Sequence, residues 1–137
     1  MIKKAVVDTN ILVSSFVYPD GIVREIIDLA IKKNINLVIS EQIIEEYSRV
    51  LSQKFGWNSG EISENIWILR RIAAVIEPDI TLKVVHADNT DNKVIECAVA
   101  AGADVIISGD RHLLNLKKYK AIPIIKPADF IRELNQL

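Results

Sequence analysis

The chain has 137 residues, of which 50% are hydrophobic and 26% are charged, and its formal net charge is −1. This length is typical of one domain built around one core, so we expect a single domain over residues 1–137. The composition excludes a disordered or fibrous chain, and the near-neutral charge excludes an overall basic field that would bind nucleic acid without specificity.

The apolar runs are all too short to span a bilayer, and no signal-peptide pattern stands at the N-terminus. The single cysteine, Cys97, excludes an internal disulfide and a site built from several thiolates, and we expect it to pack in the core. We therefore expect a cytoplasmic protein with no membrane association.

Helices and strands alternate along the first half of the chain. Apolar residues at helical spacing indicate the helices, and short continuous apolar runs indicate buried strands. The sequence predicts, in order, a strand over Lys4–Val7, a helix through Tyr18, a helix from Ile22, a strand over Leu37–Ile39, and helices over Glu41–Phe55 and Glu61–Ile76. Gly56 separates the last two helices, which we expect to form a hairpin.

The same alternation continues after Pro78, which is expected to stop the second helix of the hairpin. The sequence then predicts a weak edge strand over Leu82–Val85, a helix closed by Gly102, a buried strand over Asp104–Ser108, a short helix through Leu116, a basic turn over Lys117–Lys120, a strand over Ile122–Ile125 and a helix from Pro127. This pattern predicts a three-layer α/β/α sandwich around a central, mostly parallel sheet of about five strands.

Four acidic residues are expected at the carboxyl edge of this sheet. Asp8 and Asp110 directly follow buried strands, and Glu46 lies early in a helix that follows a strand. Asp91 joins them if Leu82–Val85 is the strand before its helix. Because four carboxylates would repel one another, their convergence favours a hard divalent cation such as Mg²⁺ or Mn²⁺, which prefers oxygen ligands.

Each of these acids also has a purely structural interpretation. Several aspartates precede helices and are candidate N-caps, namely Asp8, Asp88 and Asp110. Asp91 would interact favourably with the positive end of its helix. Glu46 is different, because it lies at the margin of an apolar helix face while Glu45 points nearly opposite. Capping does not explain an acid at that position, so the combination favours a metal site.

Polar residues near these acids are candidates for supporting roles. Those that would orient ligands or water are Thr9, Asn10, Asp88 and Ser108, whose structural alternative is helix capping. Those that would contact phosphates are Arg111, Lys117 and Lys118, whose alternative is a solvated surface. His86 and His112 are too few and too poorly spaced for a zinc site. Nucleotide cofactors have no support, because no phosphate-binding glycine motif is present.

Four short motifs follow one another along the chain. They are Val6-Val7-Asp8-Thr9-Asn10, Ser40 with Glu46-Tyr47, Asp88 with Asp91-Asn92-Lys93, and Ile107-Ser108-Gly109-Asp110. Their order and spacing resemble the PIN-domain family, and most closely its prokaryotic branch of toxins from toxin–antitoxin pairs. The resemblance implies a small α/β/α domain that cuts single-stranded RNA with Mg²⁺ or Mn²⁺ bound by Asp8, Glu46, Asp91 and Asp110. It also implies a cognate antitoxin and frequent dimers.

Two other functions compete with a metal-dependent ribonuclease that acts as a toxin. A phosphatase of the haloacid-dehalogenase type would need a second aspartate two residues after Asp8, where this chain has Asn10. A catalytically weak RNA- or protein-binding module would use the same acids to hold a structural ion, and would bind RNA without cleaving it.

Overall fold

The structure is a computed structural model that describes residues 2–79 and 89–136. Its elements, in chain order, are β1 (Lys3–Val7), α1 (Thr9–Val17), α2 (Arg24–Ile31), β2 (Ile35–Ser40), α3 (Glu41–Phe55), α4 (Ser59–Ile72), β3 (Ala73–Ile76), α5 (Asn89–Ala101), β4 (Val105–Ile107), α6 (Arg111–Leu116), β5 (Lys118–Tyr119), β6 (Ile122–Ile125) and α7 (Pro127–Asn135). The predictions for Leu82–Val85, His86 and Asp88 fall outside the described residues.

The six strands form one sheet in the order β3-β2-β1-β4-β6-β5. All neighbouring pairs are parallel except the edge pair of β5 with β6, which is antiparallel. The prediction of a mostly parallel sheet is confirmed, with six strands in the described residues instead of about five. The first strand, β1, lies in the middle of the sheet between β2 and β4.

Helices cover both faces of the sheet. Successive side chains of a strand point to opposite faces, and Ala5, Val6 and Val7 of β1 are all fully buried. Helix α5 packs against β1, β2, β3 and β4, while α2 packs against β2 and α7. The predicted α/β sandwich is therefore confirmed, and its core lies between the sheet and these helices.

Local signals end the elements where the sequence predicts. Helix α3 spans the predicted residues Glu41–Phe55: the Ser40 hydroxyl accepts the Ile43 N–H at 3.2 Å, and Gly56 closes the helix with a φ of 65°. Gly102 closes α5 in the same left-handed region, at a φ of 64°, where a residue without a Cβ pays no steric cost.

The predicted helix over Glu61–Ile76 is too long. Helix α4 ends at Ile72, and Ala73–Ile76 continues directly as β3, paired in parallel with β2 so that Leu37 lies opposite Ala73. The apolar residues 72, 73 and 76 also suit a helical stripe, so local periodicity does not separate the two states. Pairing with β2 decides in favour of the strand.

The predicted basic turn at Lys117–Lys120 is also wrong in part, because Lys118–Tyr119 forms the short strand β5 beside β6. This edge pairing depends on a neighbouring strand and leaves no clear local pattern. None of the described helices combines the length and the apolarity needed to cross a bilayer.

Candidate functional site

The topology places the ends of β1 and β4 side by side. These neighbouring parallel strands pair Val7 with Ile107, and the N–H of Asp8 donates to the carbonyl of Ile107 at 3.1 Å. Asp8 and the segment Ser108–Asp110 therefore leave the same edge of the sheet together. This carboxyl edge is where ligands bind in open α/β sheets.

The buried Ser108 hydroxyl links the two aspartates. It donates a short hydrogen bond to one carboxylate oxygen of Asp8 and accepts the N–H of Asp110 at 2.9 Å. The other Asp8 oxygen accepts the Ile11 N–H at 2.9 Å, so Asp8 is the N-cap of α1. Asp110 caps α6 in the same way, by accepting the His112 N–H at 2.8 Å. The capping interpretation is thus correct for both residues, and it leaves room for a second role.

Asp8 is buried, and its environment disfavours the charged form. Burial raises the pKa of the Asp8 carboxyl above its usual range, and the negative charge of Asp110 acts in the same direction. The hydrogen bonds from Ser108 and from the backbone of Ile11 and Gly109 lower this pKa without cancelling the effect of burial. A nearby cation would offset the cost of the ionised form.

Three of the four candidate acids line one cavity of about 190 Å³ at this edge. Asp8 enters it from the end of β1, Glu46 from α3 and Asp91 from the first turn of α5. Thr9 and Asn10 line it as well. Asp110 is not among the lining residues and reaches the site through Ser108 and its charge on Asp8.

The helical-phase prediction for Glu46 is confirmed. Its side chain is 22% exposed and faces the cavity, whereas Glu45 is exposed and lies outside it. The Glu46 carboxylate forms an ion pair with Arg49, one turn later on α3. Sequence reasoning missed Arg49, Gln53 and Lys54, which also line the cavity. Their spacing of three, seven and eight residues from Glu46 is the signal that would have found them.

Asp91 lies at the edge of the sheet that the sequence predicts for it. It is buried near the start of α5, and the nearest described strand before that helix is β3, which runs parallel to β2. Because Asp91 lines the same cavity as Asp8 and Glu46, the N-terminus of α5 lies at the carboxyl edge of the sheet. The predicted strand over Leu82–Val85 lies outside the described residues, so the dependence of Asp91 on that strand stays a prediction.

The predicted phosphate-binding residues lie apart from the cavity. Arg111 follows Asp110 at the start of α6, but it does not line the cavity. Lys117 ends α6, and Lys118 lies in β5, three strands from β1 and hence about 14 Å away across the sheet.

The donors around the cavity suit a hard cation, although they are not arranged around one. Among residues 2–79 and 89–136, no three histidine, cysteine, aspartate or glutamate side chains form a metal-binding group. The carboxylates of Asp8, Glu46 and Asp91 nevertheless supply only oxygen donors, which Mg²⁺ and Mn²⁺ prefer. The Thr9 hydroxyl is buried and has no hydrogen-bond partner in the described part of the chain. The donor chemistry fits such an ion.

Comparison with known proteins identifies a family and a relative that matches nearly the whole chain. The family model described as a PIN domain matches residues 4–112. The uncharacterized protein MJ1680 of Methanocaldococcus jannaschii is 31% identical over 145 aligned positions, which cover 97% of this chain and 92% of that protein.

Two solved structures share the fold at 16% sequence identity. One is the crystal structure of VapBC2 from Rickettsia felis bound to a DNA fragment from the VapBC2 promoter. It matches with a TM-score of 0.62 over 90% of this chain and 98% of that chain. The structure of PAE2754 from Pyrobaculum aerophilum matches with a TM-score of 0.63 over 99% of this chain and 91% of that chain.

Proposed function

The chain belongs to the PIN-domain family, and on this premise we propose that it is a metal-dependent ribonuclease that hydrolyses phosphodiester bonds of single-stranded RNA. One observation carries the proposal. Asp8, Glu46 and Asp91 come from distant segments of the chain and line one cavity, with Asp110 linked to Asp8 through Ser108. PIN domains are generally nucleases that use divalent metals, and this arrangement of acids suits that chemistry.

The carboxylates of Asp8, Glu46, Asp91 and Asp110 would hold Mg²⁺ or Mn²⁺. When bound, such an ion supplies an activated water and neutralises charge on the scissile phosphate. The buried Asp8 carboxylate contributes negative charge that burial leaves poorly solvated, which favours cation binding. Ser108 fixes the orientation of Asp8 by donating to one of its oxygens.

The residues Thr9 and Asn10 would orient water or substrate from the start of α1, since both line the cavity. Neither residue has to act as a nucleophile, because the attacking group in metal-assisted hydrolysis is water. Cys97 does not supply one either, since burial raises the pKa of its thiol to about 12.

We further propose that the protein is the toxin of a toxin–antitoxin pair, with a cognate antitoxin and self-association as a dimer. The support is the resemblance of the sequence motifs to the toxin branch of the family and the fold shared with the Rickettsia felis VapBC2 chain. Expression of the protein alone is expected to arrest growth, and co-expression of its antitoxin is expected to restore it. Growth unaffected by the active enzyme would contradict the toxin role.

The nuclease proposal is tested by incubating the purified protein with end-labelled single-stranded RNA in Mn²⁺ or in EDTA. We expect cleavage only with the metal, and a loss of at least about 100-fold in Asp8→Asn, Asp110→Asn and Glu46→Gln, since even supporting residues of metal sites are worth about 10- to 100-fold.

The matched control is Glu45→Gln, which removes the neighbouring exposed carboxylate outside the cavity. Its rate is expected to stay within about twofold of the wild type, as for most surface substitutions. Cleavage that is indifferent to Asp8→Asn, Asp110→Asn or EDTA would contradict a metal-dependent nuclease. RNA that is bound but left uncut in Mn²⁺ would indicate the catalytically weak binding module instead.

A further inference from the structure

Helix α3 presents a mixed stripe of charges to the cavity. Its lining residues are Glu46, Arg49, Val50, Gln53 and Lys54, which share one face because they are spaced by three, four, seven and eight residues from the first. With a rise of about 1.5 Å per residue, Arg49 lies about 4.5 Å and Lys54 about 12 Å from Glu46 along the helix axis. Along this wall of the cavity, the acidic Glu46 is followed by the cations Arg49 and Lys54.

The first cation of this stripe is held by the acid. Arg49 forms an ion pair with Glu46, and the two side chains are 55% and 22% exposed. Ion pairs between side chains as exposed as Arg49 contribute little to stability, so this pair can be broken at small cost. A divalent cation that needs the Glu46 carboxylate would compete directly with Arg49 for it.

We propose that Arg49 exchanges partners: it holds Glu46 in the metal-free protein and binds a substrate phosphate when Glu46 turns to a divalent cation. Lys54 binds a second phosphate further along α3. The proposal rests on the nuclease function proposed above, and it assigns the substrate path to α3, not to Arg111, Lys117 and Lys118. Arginine suits this role because its planar fork of donors matches carboxylate and phosphate alike.

The charge of the cavity supports this order of events. The described lining carries three carboxylates and two cations, so it has a surplus of negative charge that attracts a metal ion and repels RNA. Asp110 adds a fourth negative charge beside the cavity. A bound divalent ion cancels the surplus of negative charge, so the site no longer repels a phosphodiester anion. The whole chain has a net charge of −1, so Arg49 and Lys54 then supply a local attraction that the overall charge does not.

The first experiment measures Mn²⁺ binding by calorimetry, without RNA. In the wild type, Glu46 must break its ion pair with Arg49 before it binds the metal, whereas in Arg49→Gln this pair is absent. We therefore expect Arg49→Gln to bind Mn²⁺ about two- to fivefold more tightly, a difference in line with the small free energy of one exposed ion pair. Lys54→Gln is expected to leave the affinity unchanged, since Lys54 lies about 12 Å from Glu46 along the helix axis, more than the Debye length of about 8 Å at physiological salt.

The matched control is Arg132→Gln. Arg132 is 64% exposed and pairs with Asp129 at the same three-residue spacing, but on α7 and outside the cavity. The substitution removes the same charge and the same kind of ion pair as Arg49→Gln. We expect it to change neither the Mn²⁺ affinity nor the cleavage of RNA.

The second experiment measures kcat/KM for single-stranded RNA as a function of salt. Each phosphate contact contributes about 0.7 to the slope of log affinity against log salt for a single strand. We expect Arg49→Gln and Lys54→Gln each to lower the slope by about that amount and to raise KM more than they lower kcat. A purely structural role would not weaken RNA binding while tightening Mn²⁺ binding.

An Arg49→Gln variant that binds Mn²⁺ no more tightly than the wild type would overturn the exchange. Unchanged salt slopes in both variants would overturn the phosphate path along α3. If the wild type still cleaves RNA in Mn²⁺, either result leaves the nuclease function intact. If the wild type binds Mn²⁺ but does not cleave RNA, the nuclease function fails and the phosphate path fails with it, while the calorimetry still decides the exchange between Arg49 and the metal.

Discussion

Two hollows at opposite edges of the sheet are lined by different chemistry. At the carboxyl edge, the cavity of about 190 Å³ is lined by Asp8, Glu46 and Asp91. At the amino edge, a larger hollow of about 550 Å³ is lined by Lys4, Lys33 and Arg71 among mainly apolar residues, and its described lining contains no carboxylate. The smaller cavity is therefore the better candidate for metal chemistry, because the donors and not the volume decide what a site can hold.

Helix direction explains much of this difference. In a parallel α/β sheet, helices begin at the carboxyl edge and end at the amino edge, so acids are favoured at the first edge and cations at the second. The N-caps Asp8 and Asp110 follow this rule, as does Arg71 in the last turn of α4. Glu46 does not, since it lies inside α3 and caps nothing. It is the acid that distinguishes a functional site from ordinary helix capping.

After substitution of the acids themselves, we expect the largest effect at the carboxyl edge from removing the Ser108 hydroxyl, which links Asp8 to Asp110. Ser108→Ala removes the donor to Asp8 and the acceptor of the Asp110 N–H. We expect RNA cleavage to fall about 10- to 100-fold, as for other residues that orient metal ligands. The measurement is kcat/KM at saturating Mn²⁺.

Ser108→Thr serves as the companion variant, because it keeps the hydroxyl. It adds a methyl group at a fully buried position, so we expect stability to fall by about 1 kcal/mol while cleavage stays within a few-fold of the wild type. Full activity in Ser108→Ala, or equal losses in both variants, would show that the hydroxyl does not matter.

At the same edge, we expect the substitution Asp8→Asn to have a smaller effect on the thermal stability of the metal-free protein. The pKa of folded Asp8 is raised above its ordinary value of 3.8, mainly by burial, so the folded state loses stability as pH rises from that value through the raised pKa. Asp8→Asn removes this cost and keeps an oxygen that can accept the Ile11 N–H. In EDTA at pH 7 we expect the variant to unfold a few degrees above the wild type.

Two conditions check the cause of this difference in Tm. Below pH 3.8 the difference is expected to shrink, because the Asp8 carboxyl is then protonated in the folded and the unfolded states. Added Mn²⁺ is expected to raise the Tm of the wild type more than that of Asp8→Asn, since only the folded wild type binds the ion well. A variant less stable than the wild type in EDTA would contradict a costly buried carboxylate.

The smallest effect is expected at the amino edge. The Arg71 guanidinium lies 4.2 Å from the centre of the Trp67 ring, and Trp67 is 58% exposed. We expect Arg71→Ala to lower the free energy of unfolding by about 0.5–1 kcal/mol, the worth of an exposed cation–π contact, and to leave RNA cleavage within about twofold. Urea denaturation and the RNA assay measure the two quantities. A tenfold loss of cleavage would place function at the amino edge as well.

The sequence predicted the features that depend on neighbouring residues. Helix α3 has its predicted bounds because Ser40 and Gly56 cap it locally, and the side of α3 that carries Glu46 follows from helical geometry alone. Asp8 was placed at the end of a strand by the abrupt change from apolar to polar residues. The metal and RNA roles of these acids remain predictions, because their geometry does not test them.

Only the tertiary structure decided the features that depend on a partner distant in sequence. Residues 73–76 became a strand because β2 offers an edge to pair with, and β5 formed because β6 lies beside it. Asp91 shares a cavity with Asp8 because α5 packs against β1 and α3, with its first turn at the carboxyl edge. Local free energies are nearly equal in such segments, so contacts across the sheet determine both the fold and the composition of the site.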